Sequence, residues 1–131
     1  MAVEAEVLKE GKDITLLAIG WEVQDAMKVA VELEKRGISA AVINARFVKP
    51  LDEETILKYG QKTGKIITME ENTLIGGFGS AVLECLEKHD VRNVIVKRIG
   101  AMDGYIPFDK PENIKKSCGM AVEDIVITAQ K

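Results

Sequence analysis

Residues 65–89 read KIITMEENTLIGGFGSAVLECLEKH, and this stretch decides the fold of the chain. Its first five residues are an apolar run of strand length. Apolar residues then recur at spacings of three and four, which predicts an amphipathic helix carrying Phe78, Ala81, Val82, Cys85, Leu86 and His89. A polar, glycine-rich loop separates the strand from the helix. In open α/β sheets, ligands and partners usually bind at such a loop, where a strand ends.

The same unit of strand, loop and helix recurs along the chain. Further strands are predicted at three places: residues 14–19, 38–44 and 93–99. One helix, ending before Gly37, is indicated by an apolar stripe of Val23, Ala26, Met27, Ala30 and Leu33. A second helix is predicted to begin after Asp52, its expected N-cap, and to end near Gly60 or Gly64. Strands that alternate with helices predict parallel pairing through right-handed crossovers.

The two ends of the chain complete the predicted architecture. Residues 3–8 alternate between apolar and polar side chains, and residues 10–13 have the composition of a turn. Because a short turn implies antiparallel pairing with the next strand, the first strand is expected at a sheet edge. Residues 100–110 are predicted to be an irregular loop, followed by a short helical segment from Pro111 and a closing helix. We therefore predict one domain over residues 1–131: α/β, with three layers (α/β/α) around a mixed sheet of about five strands, mostly parallel with one antiparallel edge strand.

Composition excludes several classes of partner. The chain has 131 residues and a formal net charge of −3, and its lysines and arginines are scattered, which argues against nucleic-acid binding. No apolar run approaches the roughly 20 residues of a membrane span, and residues 1–10 lack a signal-peptide pattern. Two unclustered cysteines, Cys85 and Cys118, favour a reducing, cytoplasmic location over a disulfide framework.

Loops that follow parallel strands meet at one edge of the sheet, which is expected to hold Trp21, Arg46, Lys49, Glu70, Glu71, Asn72 and the loop at residues 102–105. Two acids beside Arg46 or Lys49 have the composition of a general acid–base pair. The pattern offers them no nucleophile and no histidine. An ion-pair network that faces a partner surface is therefore the preferred interpretation.

The glycines of the central loop also allow two interpretations. Gly76, Gly77 and Gly79 open a helix, where backbone N–H groups can hold a phosphate. The spacing matches neither a P-loop nor a dinucleotide fingerprint, and glycine equally permits a tight turn and close packing of helix on sheet. His89 is the only histidine and closes an apolar stripe, so a helix cap or a surface position is expected; no second metal ligand is expected beside it. Cys85 is expected in the core.

Four stretches together resemble the C-terminal domain of transketolase-like, thiamine-diphosphate-dependent enzymes: ITLLAIG at residues 14–20, NARFVKPLD at 44–52, ITMEEN at 67–72 and GGFGS at 76–80. Within that family they look most like the 1-deoxy-D-xylulose-5-phosphate synthases. The resemblance covers nearly the whole chain and fades after Arg98. At residues 100–103 the chain has Gly-Ala-Met-Asp, where those synthases usually have Gly-Ile/Leu-Pro-Asp.

The resemblance implies the same five-stranded fold and a part in a larger enzyme, which would condense pyruvate with glyceraldehyde 3-phosphate. In that family thiamine diphosphate and Mg²⁺ lie between two other domains, and their Gly-Asp-Gly motif does not occur here. The resemblance thus implies no cofactor, metal or catalytic residue in this domain, which is expected to be inactive alone. Its partners would be other domains or subunits of the same enzyme, a homodimer. Structural and interface candidates are Arg46, Lys49, Asp52, Glu70, Glu71, Asn72, Gly76 and Gly77.

Three alternatives stay open at this point. The same pattern suits the C-terminal domain of a transketolase, including one split over two chains. It also suits the β subunit of a 2-oxoacid dehydrogenase. A free-standing module that binds a phosphate or a nucleotide at the Gly76–Gly79 helix start belongs to a different class.

Overall fold

The computed structural model describes residues 4–20, 22–46, 51–70, 77–99 and 122–130. In chain order its elements are β1 (Glu6–Lys9), β2 (Ile14–Ala18), α1 (Glu22–Lys35), β3 (Ala40–Asn44), α2 (Glu53–Thr63), β4 (Lys65–Met69), α3 (Phe78–Lys88), β5 (Ile95–Ile99) and α4 (Val122–Gln130). The predicted alternation of strands and helices is confirmed. Trp21, the loop at residues 100–110 and the helical segment predicted from Pro111 lie outside the described residues.

The described strands form one five-stranded sheet in the order β1-β3-β2-β4-β5. β2 pairs in parallel with both β3 and β4, and β4 pairs in parallel with β5. β1 lies at the edge and pairs with β3 in antiparallel orientation. The predicted α/β class and mixed sheet with one antiparallel edge strand are therefore confirmed.

The expected pairing of β1 with the next strand in sequence was wrong, since β1 pairs with β3. The connection between β1 and β2 crosses the start of β3 instead of folding back as a hairpin. Asp13 N donates to Ser39 O at 2.8 Å, and Ser39 N donates to Asp13 Oδ2 at 2.7 Å. Gly11 makes this crossing physically achievable, because a Cβ there would lie 2.2 Å from the carbonyl carbon of Ala40.

The sheet is covered on both faces, because neighbouring strand residues point in opposite directions. Helices α1 and α4 cover one face, against a buried cluster that includes Leu16, Val42, Ile67, Ala30, Leu33, Ile125 and Ala129. Helices α2 and α3 cover the other face, against a cluster that includes Leu17, Ile43, Ile66, Ile56, Phe78, Val82 and Leu86. The three predicted layers are thus present. No helix in the described ranges has the length and apolar character needed to cross a bilayer.

Helix and strand ends differ slightly from the predicted ones. α2 has Asp52 as its N-cap, as predicted, and Gly64 as its C-cap, with a left-handed φ of 75°. β3 begins at Ala40, two residues later than predicted, because Ile38 N still donates to Leu33 O as the chain leaves α1. β5 likewise begins late, at Ile95, whose N–H donates to Gly64 O.

Two buried threonines on neighbouring strands differ in whether their hydroxyl groups form hydrogen bonds. The Thr15 hydroxyl donates to Tyr59 O at 3.2 Å and lies 2.8 Å from Thr63 Oγ1. The Thr68 hydroxyl is buried and has no hydrogen-bond partner in the described part of the chain. A buried hydroxyl without a partner loses its hydration and gains nothing in return.

We predict that Thr68→Val raises the free energy of unfolding by about 1 kcal/mol, because valine keeps the shape and removes the orphan hydroxyl. Thr15→Val is the matched control and should lower it by about 1 kcal/mol, since its partners lose a hydrogen bond. Urea denaturation followed by circular dichroism measures both values. Equal losses in the two variants would show that Thr68 has a partner in solution.

Candidate functional site

The carboxyl edge of the sheet is held by hydrogen bonds that continue one residue past the strands. Ala45 N donates to Ala18 O at 2.9 Å, and Glu70 N donates to Ile99 O at 3.0 Å. Ile19 N also donates to Met69 O at 3.1 Å. These bonds place Ala45 and Glu70, the first residues after β3 and β4, at the same edge of the sheet, as predicted. The backbone of this edge is therefore held by the sheet itself.

Glu70 caps the amino terminus of α3 across the intervening loop. Its Oε2 accepts a hydrogen bond of 2.7 Å from Phe78 N, the first residue of the helix. The N-cap position itself is Gly77, which has extended backbone and no side chain to offer. A carboxylate here satisfies a free N–H group and lies at the positive end of the helix dipole. The start of α3, which the sequence offers as a phosphate site, therefore already binds the carboxylate of Glu70.

Gly79 allows a β5 side chain to cross the first turn of α3. A Cβ on Gly79 would lie 2.4 Å from Nε of Arg98, whose Nη2 donates to Ser80 Oγ at 3.0 Å. Of the two interpretations of the glycines, close packing of helix on sheet is confirmed at Gly79. Gly76 lies outside the described residues.

Arg46 follows β3 in a strained conformation. It has a φ of 67°, in the left-handed region that residues with a side chain rarely adopt. Its N–H donates to Asn44 Oδ1 at 3.0 Å, and its side chain is exposed. No ion pair joins Arg46 to Glu70, both of which the structure describes, so the predicted network is not formed between these two.

Asp52 joins the start of α2 to the amino-terminal segment. Its carboxylate accepts from Thr55 N at 3.2 Å, from Thr55 Oγ1 at 2.7 Å and from Ala5 N at 2.8 Å. Partial burial opposes ionisation of this carboxyl group, but the hydrogen bonds from Ala5 and Thr55 outweigh it and hold the pKa of Asp52 below its usual value. Its structural role is therefore clear, whereas an interface role stays a prediction.

Replacing Asp52 by alanine is expected to lower the free energy of unfolding at neutral pH by about 1–2 kcal/mol through loss of the cap. Because the folded pKa of Asp52 is depressed, its contribution is present above the unfolded pKa, near 3.9, and disappears as the pH falls through the folded pKa. The difference between wild type and Asp52→Ala should therefore shrink in acid. Asp52→Asn, which keeps a capping oxygen, should lose less stability at neutral pH. Denaturation midpoints measured from neutral pH down to acid check this, and a pH-independent difference would contradict it.

The other interface candidates, Lys49, Glu71, Asn72 and Gly76, lie outside the described residues, and their roles stay predictions. The edge that the structure does describe offers anchored carboxylates and an exposed arginine. It presents no nucleophile paired with a base in the described ranges. The polar contacts observed at this edge hold the amino-terminal segment and the starts of α2 and α3 in place.

A second group of polar side chains lies between α2 and α3, and sequence reasoning missed it. Cys85 and His89 from α3 meet Glu53 from the first turn of α2, and one ligand atom from each lies within 4.8 Å of the others. The expectation that His89 has no second candidate ligand nearby was therefore wrong. The predicted positions are confirmed, since Cys85 is buried and His89 is the exposed C-cap of α3.

The electrostatics of this group favour a neutral thiol. Burial, together with the Glu53 carboxylate, raises the pKa of Cys85 to about 11. Lys88 Nζ lies 3.3 Å from Glu53 Oε1, and a hydrogen bond from Lys88 is the main reason that the pKa of Glu53 is lowered. The sequence does contain one signal for this group: Cys85 and His89 are four residues apart, which places them on the same face of a helix.

Comparison with known proteins defines the class. Residues 3–125 match the family model of the transketolase C-terminal domain, and the chain belongs to this family. It is also similar to particular enzymes. It is 50% identical over 126 residues to the 1-deoxy-D-xylulose-5-phosphate synthase of Desulforudis audaxviator, covering 96% of this chain and 20% of that protein. Over 122 residues it is 48% identical to the synthase of the same name from Pelotomaculum thermopropionicum, covering 93% of this chain and 19% of that protein.

A solved structure supports the fold. A chain described as a split-gene transketolase in an inactive β4 tetramer superposes with a TM-score of 0.89 and 35% sequence identity. The match covers 97% of this chain and 41% of that one. The present chain spans about a fifth of the length of the curated relatives it matches.

Proposed function

We propose that this chain serves as the C-terminal domain of a thiamine-diphosphate-dependent transferase of the 1-deoxy-D-xylulose-5-phosphate synthase kind. The parent enzyme condenses pyruvate with glyceraldehyde 3-phosphate and releases carbon dioxide. One observation carries the proposal: 50% identity to such a synthase over 96% of this chain. Proteins this similar over a whole domain share its fold, and the chemistry of such an enzyme lies in particular sites that have to be argued separately.

The role proposed for this domain is to pack against other domains of the same homodimeric enzyme through its carboxyl edge. Glu70 and Asp52 support this role, because each carboxylate positions backbone N–H groups and helix starts. A rigid edge that carries an exposed Arg46 suits recognition of a fixed protein surface.

The carboxylates of the described edge serve the fold, which supports placing thiamine diphosphate and its Mg²⁺ ion elsewhere in the parent enzyme. A magnesium diphosphate site requires free carboxylate or carbonyl oxygens around the ion. The Glu70 carboxylate already accepts from Phe78 N, and the Asp52 carboxylate already accepts from Ala5 N. We therefore assign the cofactor to other domains of the parent enzyme and no catalytic step to this chain.

The phosphate-binding alternative loses support for the same reason. A phosphate at the start of α3 would have to displace Glu70 or lie against its carboxylate, and like charges repel. A transketolase remains the second candidate for the parent, because the split-gene transketolase structure covers 97% of this chain with a TM-score of 0.89. The identity to the two synthases, 50% and 48%, is higher than the 35% to that transketolase.

Domain exchange tests the proposal and separates the two parents. In one chimera the 131 residues replace the corresponding segment of the Desulforudis audaxviator synthase; in the other they replace the corresponding segment of the split-gene transketolase. We expect the first chimera to turn over pyruvate and glyceraldehyde 3-phosphate, and the second to lose most ketol transfer. A folded, inactive synthase chimera together with an active transketolase chimera would overturn the assignment. Turnover or saturable thiamine diphosphate binding by the chain alone would overturn the accessory role.

Arg46→Gly tests the interface directly, because it removes the guanidinium group without destabilising the backbone at this position. Glycine adopts a φ of 67° freely, so the stability of the isolated chain should stay the same or rise by up to about 1 kcal/mol. The synthase chimera should nevertheless lose activity or dimer stability, since the guanidinium group is gone. Kinetics and sedimentation velocity measure these two effects.

Asp90→Gly is the matched control, since Asp90 is the other described residue with a side chain in the left-handed region, at a φ of 57°. It follows α3, away from the carboxyl edge. It should change stability in the same direction and leave the activity of the chimera intact. If Arg46→Gly and Asp90→Gly behave alike in the chimera, the Arg46 side chain takes no part in the interface.

A further inference from the structure

Glu53, Cys85 and His89 form a compact group of three different metal-ligand types outside the carboxyl edge. His89 Nε2 lies 3.7 Å from Glu53 Oε1, and a ligand atom of Cys85 lies within 4.8 Å of both partners. Two of the three ligands come from one turn of α3, because residues four apart lie on the same helix face. The third comes from the start of α2, which packs beside α3. The backbone of two helices therefore determines the arrangement.

We propose that Glu53, Cys85 and His89 bind one Zn²⁺ ion, with water as the fourth ligand. Thiolate, imidazole and carboxylate are the ligand types that Zn²⁺ takes in proteins, whereas Mg²⁺ and Ca²⁺ prefer oxygen ligands. Tetrahedral bonds of about 2.0–2.3 Å place ligand atoms roughly 3.3–3.8 Å apart. His89 Nε2 and Glu53 Oε1 are already close to this spacing, at 3.7 Å. The contraction that remains, from at most 4.8 Å, is about 1 Å.

The site can form without disturbing the core, and solvent gives the ion a path of entry. Cys85 is 2% exposed and is the buried member of the group, so its side chain keeps its position when the ion binds. The side chains of His89 and Glu53 are 40% and 35% exposed, so rotation of their outer bonds can close the remaining distance. On binding, the Cys85 sulfur forms a bond to zinc and its proton passes to solvent.

Lys88 competes with the metal for Glu53. Its Nζ lies 3.3 Å from Glu53 Oε1, and its side chain is 67% exposed. Zinc binding through Glu53 Oε1, the oxygen nearest His89 Nε2, displaces this ammonium group, which moves into solvent at low cost because exposed ion pairs contribute little. The competition predicts that removal of the Lys88 charge strengthens zinc binding, whereas loss of a true ligand weakens it. A merely structural ion pair would not produce these opposite effects.

The experiment uses the full 131-residue chain with Cys118→Ser as the common background, so that Cys85 is its only thiol. Calorimetric titration with Zn²⁺ alone should give one ion per chain, and Co²⁺ substitution should give a thiolate-to-cobalt charge-transfer band. His89→Gln and Glu53→Gln should each weaken Zn²⁺ affinity by about tenfold or more, and Lys88→Met should strengthen it several-fold. Cys85→Ser should abolish the charge-transfer band.

Saturating Zn²⁺ should also raise the melting temperature, because the ion joins α2 to α3 in the folded state only. Absence of a charge-transfer band, or the same Zn²⁺ affinity in His89→Gln as in the background, would overturn the proposal. Because His89 is exposed, His89→Gln remains informative even if Cys85→Ser fails to fold. The outcome is independent of the parent enzyme proposed above, since the assay measures metal binding by this chain alone.

Discussion

Gly11→Ala is expected to destabilise the chain by about 3 kcal/mol or more, at the upper end of overpacking effects. A Cβ at this position would lie 2.2 Å from the carbonyl carbon of Ala40 and 2.3 Å from the amide nitrogen of Ala41. Both atoms belong to the backbone of β3, so no side-chain rotation can relieve the overlap. The chain must instead move its crossing from β1 to β2 away from β3. Guanidinium denaturation monitored by circular dichroism should show a large drop in midpoint.

Two control variants isolate the cause of that loss. Lys12→Ala alters the neighbouring exposed residue and should change stability by no more than about 0.5 kcal/mol, since within the described ranges Lys12 bonds to Ser39 through its backbone N–H, which alanine keeps. Gly60→Ala places its Cβ 2.9 Å from Cδ1 of Ile66, the end of a flexible side chain, and should cost far less than Gly11→Ala. Equal stability of Gly11→Ala and Lys12→Ala would mean that the crossing is not tightly packed in solution.

The same crossing explains why the sequence predicts the sheet but not the full order of its strands. Apolar runs and helix stripes are local signals, and they predict the strands, the helices and the N-cap at Asp52. The partner of β1 depends on bonds between residues distant in sequence, such as Asp13 N to Ser39 O. A four-residue connection suits a hairpin by length alone, and the contacts that distinguish the two outcomes, including the packing of Gly11 on Ala40, are not local in sequence.

In the candidate sites, too, local sequence predicts some features, whereas contacts between helices and strands decide the others. The sequence indicates that Glu70 and the glycines share a loop region, but the capping of Phe78 N by Glu70 depends on how the loop closes. Cys85 and His89 are neighbours on α3 by helix periodicity, which sequence alone predicts. Glu53 joins them only because α2 packs beside α3, and no local pattern encodes that contact. Contacts between elements therefore decide both the cap and the cluster.

Phe78→Ala is expected to lower the free energy of unfolding by about 3–5 kcal/mol, because the side chain is fully buried and leaves a cavity that the sheet cannot fill. Phe78→Leu keeps most of the volume and should lose much less. Leu33→Ala is a matched core variant at the far end of α1, and it should cost about 2–5 kcal/mol. Denaturant unfolding of the isolated chain measures all three variants.

In a complete enzyme, Phe78→Ala and Leu33→Ala should affect activity differently, because the two residues lie at opposite ends of the sheet. Phe78 is the first residue of α3, and its buried ring packs the helix start that Glu70 caps, so loss of the ring should loosen the carboxyl edge. Leu33 lies near the end of α1, away from that edge. In the synthase chimera, Phe78→Ala should reduce activity beyond the fraction unfolded, whereas Leu33→Ala should reduce activity only in proportion to it. If both variants lose activity in proportion to unfolding, the carboxyl edge contributes stability but no specific contact to the parent enzyme.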